Sequence, residues 1–261
     1  MFGFLSNDPL FSLLRSFGYN TVRLPRTTIK PLQLFTKKNN QFYSLGSLSS
    51  VFISRGSASL PKVVENQTVA NISGKKSGDL SLGIGFSILS GILTQFGGSA
   101  IGLDEQYKQA KTISFQYENV LADSIEMTLL DQFLTEADID PSSKCVGDML
   151  EADQVYVTSS TIKSQKFTIL PEAEKGSTLN LNIPEIQKTV GGNVKVSSNS
   201  KYSSAITFEG DTPLVFGFQA WQLFYNKGKI SRIEPVQKVT LAGPKSKSNL
   251  LGTNPFLSFN Q

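Results

Sequence analysis

Around residue 80 the chain alternates. Leu80, Leu82, Ile84, Phe86 and Ile88 take every second position, with Asp79, Ser81, Gly83, Gly85 and Ser87 between them. A period of two gives a strand one apolar face and one small, polar face. The alternation opens residues 80–103, a stretch without a single charged side chain. That length would serve a membrane-spanning helix. Its six glycines and four serines argue against one, because they dilute the apolar content and weaken helical structure. Two readings of the alternating half remain. It is a half-buried strand running into a short Gly-rich helix at residues 87–96, or a strand able to cross a bilayer with its apolar face toward lipid.

The rest of the chain yields a succession of strands with few helices. Asp8-Pro9 fits an N-cap followed by proline at the first helical position; Leu10, Leu13, Leu14 and Phe17 then share a face, and Gly18 fits the stop. Pro25 and Pro31 confine residues 19–35 to edge strands or extended segments. Residues 37–41 form a polar turn, and Phe42, Leu45, Leu48, Val51 and Ile53 mark a short strand or loop pair. Residues 63–73 predict a strand and residues 74–78 a turn, from which the strand beginning at Asp79 returns. The product is a long hairpin with Lys75 and Lys76 at its tip. Its arms of about 10 residues match the length of a barrel strand crossing a bilayer.

Ile113, Phe115 and Tyr117 predict a strand within residues 106–119. Ile125, Leu129, Leu130, Phe133 and Leu134 predict a helix over residues 123–137, capped by Asp123, with another helical turn at residues 143–150. Residues 155–170 are β-branched and alternating, and Leu179, Leu181 and Ile183 alternate again. Residues 186–190 form a short helix closed by Gly191-Gly192, after which Val194 and Val196 start a strand. Strands at residues 204–208 and 212–225 follow, the second rich in aromatics that suit a core. A turn at Asn226-Lys227-Gly228-Lys229 leads to an extended segment over residues 230–241. The linker composition AGPKSKSN begins at Ala242. Beyond it lie Leu250, Leu251, Phe256, Leu257 and Phe259, more large apolar groups than a disordered tail carries. This end is expected to dock on the body. The prediction is an α+β fold: a twisted, largely antiparallel sheet with packed helices over residues 1–241, and a docked tail over 242–261.

Composition removes several chemistries. At 261 residues and 39% hydrophobic, the chain can build a substantial core. It contains no histidine, so the commonest general base and metal ligand is missing and a Ser-His-Asp or Cys-His arrangement is excluded. The single cysteine, Cys145, excludes an internal disulfide and a Cys-rich zinc site; it reads as an ordinary, partly buried thiol. No carboxylate pair or phosphate-binding loop stands out, so no catalytic residue, cofactor or metal ligand is assigned. The formal charge of +4 conceals a segregation: residues 1–100 carry 10 basic and 3 acidic side chains (+7), residues 101–154 carry 3 and 12 (−9), and residues 155–261 carry 12 and 6 (+6). The acidic middle packs against basic parts, or basic surface is kept for an anionic partner, or these are solvated faces of opposite sign. Aromatics do not interleave with basic residues as a nucleic-acid platform requires. The start, MFGFLSNDP, lacks a secretory signal, so a cytoplasmic location is expected. From the residues alone, a β-rich interaction module with a basic binding surface fits.

A more specific reading comes from an ordered set of stretches: Gly18-Tyr19, Val22-Arg23-Leu24-Pro25 and Ile29-Lys30-Pro31-Leu32, then LDQFLTEADIDPSSKCVGDMLEADQVYVTSSTIK from Leu130 to Lys163, then FGFQAWQLFY from Phe216 to Tyr225. Together they resemble the bacterial gasdermins over most of residues 18–241. The resemblance implies a pore-forming protein held inactive by a short C-terminal tail. A protease removes the tail, and the freed body binds the inner membrane. There it assembles into large rings in which two regions of each protomer become transmembrane β-hairpins, and the cell dies, limiting phage spread. Mapped here, residues 50–103 with Leu80, Leu82, Ile84, Phe86 and Ile88 supply the first hairpin, and residues 155–200 the second. Arg23, Arg26, Lys30, Lys75 and Lys76 would meet anionic lipid, and Leu250, Leu251, Phe256, Leu257 and Phe259 would form the inhibitory tail. Cleavage is expected within residues 242–251. A trypsin-like protease would take Lys245 or Lys247, and other specificities Asn249 or Leu250. A caspase-like one would find no acidic residue from 235 onward. The implied partners are anionic lipid, the protease and further copies of the chain. Bacterial gasdermins often carry an acylated cysteine near the N-terminus; residues 2–9 contain none, so no lipidation is assigned.

Overall fold

Two long, β-branched and aromatic strands carry the architecture: β10 (Val155–Ala173) and β12 (Ile206–Asn226), paired antiparallel from Val155↔Leu223 to Ile169↔Ile206. The computed structural model describes residues 14, 17–38, 41–69, 80–107, 109–173, 181–198, 205–236 and 259–260. Among these, twelve strands join one sheet, and the short β4 (Phe52–Ser54) and β9 (Ala137–Ile139) pair separately. The α+β prediction holds: of the described pairings all are antiparallel except one at the C-terminus.

The central ribbon is bent. Ser164 pairs with Leu214, but the next partners are Lys166 and Glu209, so residues 210–213 bulge opposite Gln165 alone. A bulge bends the strand that carries it and increases the local twist. It also accommodates Pro213, which has no backbone donor for the ladder.

On one side of the bend, β1 (Asn20–Arg26) and β13 (Lys229–Pro235) pair with β12, while β2 (Gln33–Lys38) and β8 (Leu121–Ser124) pair with β10. Beyond these lie β3 (Gln41–Ser47) on β2 and β5 (Val64–Thr68) on β8. On the other side, β7 (Ala110–Glu118) pairs with β10, β6 (Leu80–Ser81) with β7, and β11 (Val194–Ser198) with β12.

The helices divide the same way. Helix α1 (Leu82–Gln95), α2 (Leu103–Tyr107) and α5 (Ile183–Val190) cover the second half, α1 also reaching β1 of the first; α3 (Met127–Glu136) and α4 (Lys144–Glu151) cover the first. The buried apolar side chains of the described residues fall into four clusters, of which the two largest lie under the helices of the two halves. Ile88, Leu89, Ile92, Leu93, Phe167, Ile186, Val190 and Phe208 belong to one, and Leu130, Phe133, Leu134, Val146, Leu150 and Leu223 to the other.

Several expectations need correction. Leu82, Ile84, Phe86 and Ile88 are helical; only Leu80 and Ser81 are in a strand. The reason lies just downstream: Ile88, Leu89, Ile92, Leu93 and Phe96 are buried and recur at three to four residues, the spacing of one helix face. Asp123 does not cap α3. It sits in β8, and Glu126 holds the cap position, because Asp123 is engaged by partners distant in sequence. Leu129, expected on the buried face, is exposed. The two strands expected at 204–208 and 212–225 are one strand continuing through the bulge. Ile183 begins α5 rather than extending an alternation, since Asn182 caps the helix by accepting the Glu185 N–H at 3.2 Å. Cys145, expected to be partly buried, is an exposed free thiol on α4. Of the N-terminal helix, Leu14 is helical and buried and Phe17 is exposed; Leu10 and Leu13 lie outside the described residues.

Candidate functional site

Of the two regions singled out for conversion, 50–103 and 155–200, the half of the sheet that carries α1 and α5 holds the described residues from 80 and from 166 onward, while β4, β5 and the start of β10 lie in the other half. Helix α1 reaches the sheet through close glycine contacts. A methyl placed on Gly85 would lie 2.9 Å from Ile113 Cβ. At the far end Phe96 lies over Gly210 of β12, where a Cβ would come within 2.3 Å of the ring. Phe96 also packs beside Phe167 (centroids 5.9 Å apart), which stacks on Phe208 at 5.3 Å. Gly97, at φ +76°, turns the chain after α1, and a methyl on Gly98 would meet the Val190 carbonyl oxygen at 2.9 Å. Ser99 N–H donates to that same carbonyl at 2.8 Å. From the other segment, Gln187 of α5 ties down β11. Its Nε2 donates to the Gly191 and Val194 carbonyls, and its Oε1 accepts the Val196 N–H.

Where the ribbon bends, polar side chains replace ladder bonds. The buried Ser164 hydroxyl shares its proton between the carbonyls of Glu118 and Lys166 and accepts the Lys166 N–H at 3.0 Å. Two ion pairs flank it. Lys163 Nζ lies 2.6 Å from Asp123 Oδ2, with both side chains largely buried, and Lys166 Nζ lies 3.3 Å from Glu118 Oε2. Asp123 Oδ1 also accepts the Asn66 N–H at 2.8 Å, so one carboxylate joins β5, β8 and β10. Thr168 donates to Glu118 Oε1 at 2.5 Å and meets Thr207 at 2.7 Å. Toward the first half, Thr158, Ser159, Ser160 and Thr161 form a buried polar run in β10. The hydroxyls of Thr158, Ser159 and Thr161 have no hydrogen-bond partner among the described residues. Sequence reasoning missed Asp123, Lys163 and Ser164 as a group. Lys163 and Lys166 inside a β-branched, alternating strand were the available signal, since a buried charge needs a partner.

The expected lipid contacts separate. Arg23 and Arg26 belong to β1, Arg26 half-buried, and Lys30 is exposed in the connection to β2. Lys30 stands at a cavity of about 300 Å³ that also involves Glu65, Asp123 and Lys163. Lys75 and Lys76 lie outside the described residues, as do Leu250, Leu251, Phe256, Leu257 and the cleavage candidates Lys245, Lys247 and Asn249. Phe259 is described: with Asn260 it forms β14 (Phe259–Asn260), parallel to β3 at Phe42 and Tyr43. Among the described residues no helix is long and apolar enough to cross a membrane, which says nothing about strands, and no group of metal-ligating side chains comes together.

The model of the Bacterial Gasdermin Family matches residues 22–229, nearly the whole sheet. The chain belongs to the bacterial gasdermin family. A gasdermin from a Desulfuromonadales bacterium is 44% identical over 258 residues, covering 96% of this chain and 97% of that protein. One from Lysobacter enzymogenes is 39% identical over 223 residues, covering 85% and 82%. The solved structure of a bacterial gasdermin from Bradyrhizobium tropiciagri superposes with a TM-score of 0.64 at 16% identity, over 97% of this chain and 96% of that one, and so shares the fold. In this gasdermin the matched span takes in the bent ribbon and α1, β7, α5 and β11, but not β14.

Proposed function

We propose that this gasdermin is an autoinhibited pore-forming protein. Removal of the tail beyond residue 242 by a protease releases the body. It then binds anionic lipid of the inner membrane through Arg23, Arg26 and Lys30, with Lys75 and Lys76, and assembles with further copies into rings. The α1 region and the α5–β11 region refold as transmembrane β-hairpins, and the resulting pores kill the cell in defence against phage. Before cleavage the chain is a cytoplasmic monomer.

The observation that carries this reading is family membership across residues 22–229, nearly the whole sheet, with 44% identity to a gasdermin of matching length. The placement of β14 supports it: the last residues of the tail lie along β3, an outer strand that pairs with β2 on its other side. The physical case for refolding rests on the same segments. A barrel satisfies every backbone group in lipid, which an open sheet cannot. Helix α1 is Gly- and Ser-rich, so little intrinsic helix stability opposes its conversion.

The test is dye release from anionic liposomes, comparing the full chain with protein cut between Lys247 and Leu250. Leakage from the cut form alone supports the proposal. Sealed vesicles with both forms would refute it and favour a β-rich binding module, for which tail removal lowers solubility or stability without leakage.

A further inference from the structure

We propose that α1 and the α5–β11 segment leave the sheet as one unit, because each completes the other's seat. The two segments are distant in sequence but meet at one small contact. The C-terminal carbonyls of a helix lack partners within it. In α5 one of these, at Val190, is satisfied by Ser99 N–H from the turn that follows α1. Gly98 lies so close that a methyl there would stand 2.9 Å from the Val190 oxygen and 2.8 Å from Val194 Cγ2. Asn193 returns a bond, its Nδ2 donating to the Gly97 carbonyl at 3.4 Å. Phe96 then lies on Gly210, whose neighbour across the ladder is Val194. The side chains behind this contact form one core, with Ile88, Leu89, Ile92 and Leu93 from α1 and Ile186, Val190 and Val194 from the other segment.

Neither segment can leave without stranding the other. Loss of α1 with the turn after it takes Gly98 off Val190 and frees the α5 carbonyl; loss of α5 and β11 removes the Val190 and Val194 side chains against which Gly98 sits. The core under α3 and α4 is a separate cluster, so opening need not spread there. Such a unit is the kind of cooperative block that opens below the global unfolding free energy. Coupling between two segments is reciprocal, so a loss on either side must register on the other. The coupling is a property of the folded chain and does not depend on pore formation. If the chain does form pores, both hairpin regions become available in a single step.

The experiment is hydrogen exchange followed by mass spectrometry on the full chain in solution, without lipid. Val190→Ala is read at residues 82–92, beyond its own contacts, and Phe96→Ala is read at residues 183–190. Each is expected to speed exchange in the other segment on the order of tenfold, as the loss of a buried side chain should, with residues 127–150 unchanged. Gly98→Ala wedges the contact without removing core and should speed exchange in both segments; it stands in if a larger deletion fails to fold. Faster exchange confined to the mutated segment would overturn the proposal. So would a rise that includes residues 127–150, which would make the whole chain one unit. With no membrane present, either failure leaves the pore-forming reading untouched, and sealed liposomes would leave this one untouched.

Discussion

Gly210→Ala is the sharpest single probe of how α1 is held. The added methyl would lie 2.3 Å from Phe96 Cδ1 and 2.4 Å from Cγ. Carbon atoms in contact rest at about 3.5–4.0 Å, so the ring must retreat by roughly 1 Å. Its retreat is obstructed: Phe96 is buried, with Phe167 beside it and Phe208 stacked behind. Either that aromatic row shifts or the end of α1 lifts from the sheet. Overpacking of this kind costs about 1–3 kcal/mol, and for a chain of this size each kcal/mol lowers the melting temperature by about 2–4 °C. Urea and thermal unfolding of the single variant measure the loss. A double-mutant cycle identifies its cause. Phe96→Ala alone should cost about 3–5 kcal/mol through the cavity it leaves. In Gly210→Ala/Phe96→Ala the new methyl points into that cavity, so the double should be more stable than the sum of the singles by about 1–3 kcal/mol. Strict additivity, or a Gly210→Ala variant as stable as the parent, would refute the reasoning.

The bend and the buried polar groups give further predictions. Ser164→Ala leaves the Lys166 N–H and the Glu118 carbonyl without the hydroxyl that serves both, and should cost about 1–3 kcal/mol in urea unfolding; an unchanged midpoint would remove Ser164 from the bend. Lys163→Met strands a largely buried Asp123 and should cost roughly 2–4 kcal/mol, while Lys163→Met/Asp123→Asn should recover part of that loss; no recovery would mean that the pair is not coupled. Burial raises the Tyr107 hydroxyl above its usual pKa of 10, and the hydroxyl has no partner among the described residues. The unfolded chain therefore releases this proton near pH 10 while the folded chain keeps it, so stability is full below pH 10 and falls as pH rises beyond it. Tyr107→Phe should flatten that alkaline loss and raise stability at neutral pH by about 1 kcal/mol. An alkaline limb as steep as the parent's would contradict this, although Tyr19 and Tyr156, also raised by burial, keep a residual slope.

How far the sequence revealed the fold depended on how local each cause was. Pro25 marked an edge or extended segment, and among the described residues β1 pairs only with β12, with a skip in register between Thr21 and Arg26. Lys227 and Gly228, at φ +49° and +89°, form the tight turn that their composition announced. Gly191, at φ +99°, stops α5 where expected. The errors share a different cause. Asp123 before an apolar helical run is a capping signal by every local criterion, yet its carboxylate is taken by Lys163 and by the Asn66 N–H, 40 and 57 residues away. Residues 209–211 read as a break between two strands; a partner strand as long as β10 joins the two into one, with residues 210–213 as a bulge within it. Of the site, the two segments were legible as weak, uncharged or alternating sequence. The contact that Gly97, Gly98 and Ser99 make with Val190 and Asn193 was not, because two glycines and a serine carry no signal of what they touch.

The alternation at residues 80–88 is the place where sequence and fold disagree most, and the disagreement has a direction. Helix α1 is explained by its second half: Ile88, Leu89, Ile92, Leu93 and Phe96 place one apolar face on the sheet. Gly85 is explained too, by its approach to Ile113. A helix gains nothing from apolar residues at every second position, because a period of two spreads them around its circumference. It also loses stability at Gly83, Gly85 and Gly91. A strand facing lipid on one side gains from both features, since the alternation supplies its outer face and the small residues its inner one. Under the proposed conversion, residues 80–88 carry a pattern for the inserted state, and residues 88–96 carry the helical face that holds them in the folded one. Replacing Leu82 and Ile84 by serine should then lower leakage by the cut form at least about tenfold, as expected for polar groups placed toward hydrocarbon. Leakage that survives both substitutions would show that the alternation does not serve the inserted state.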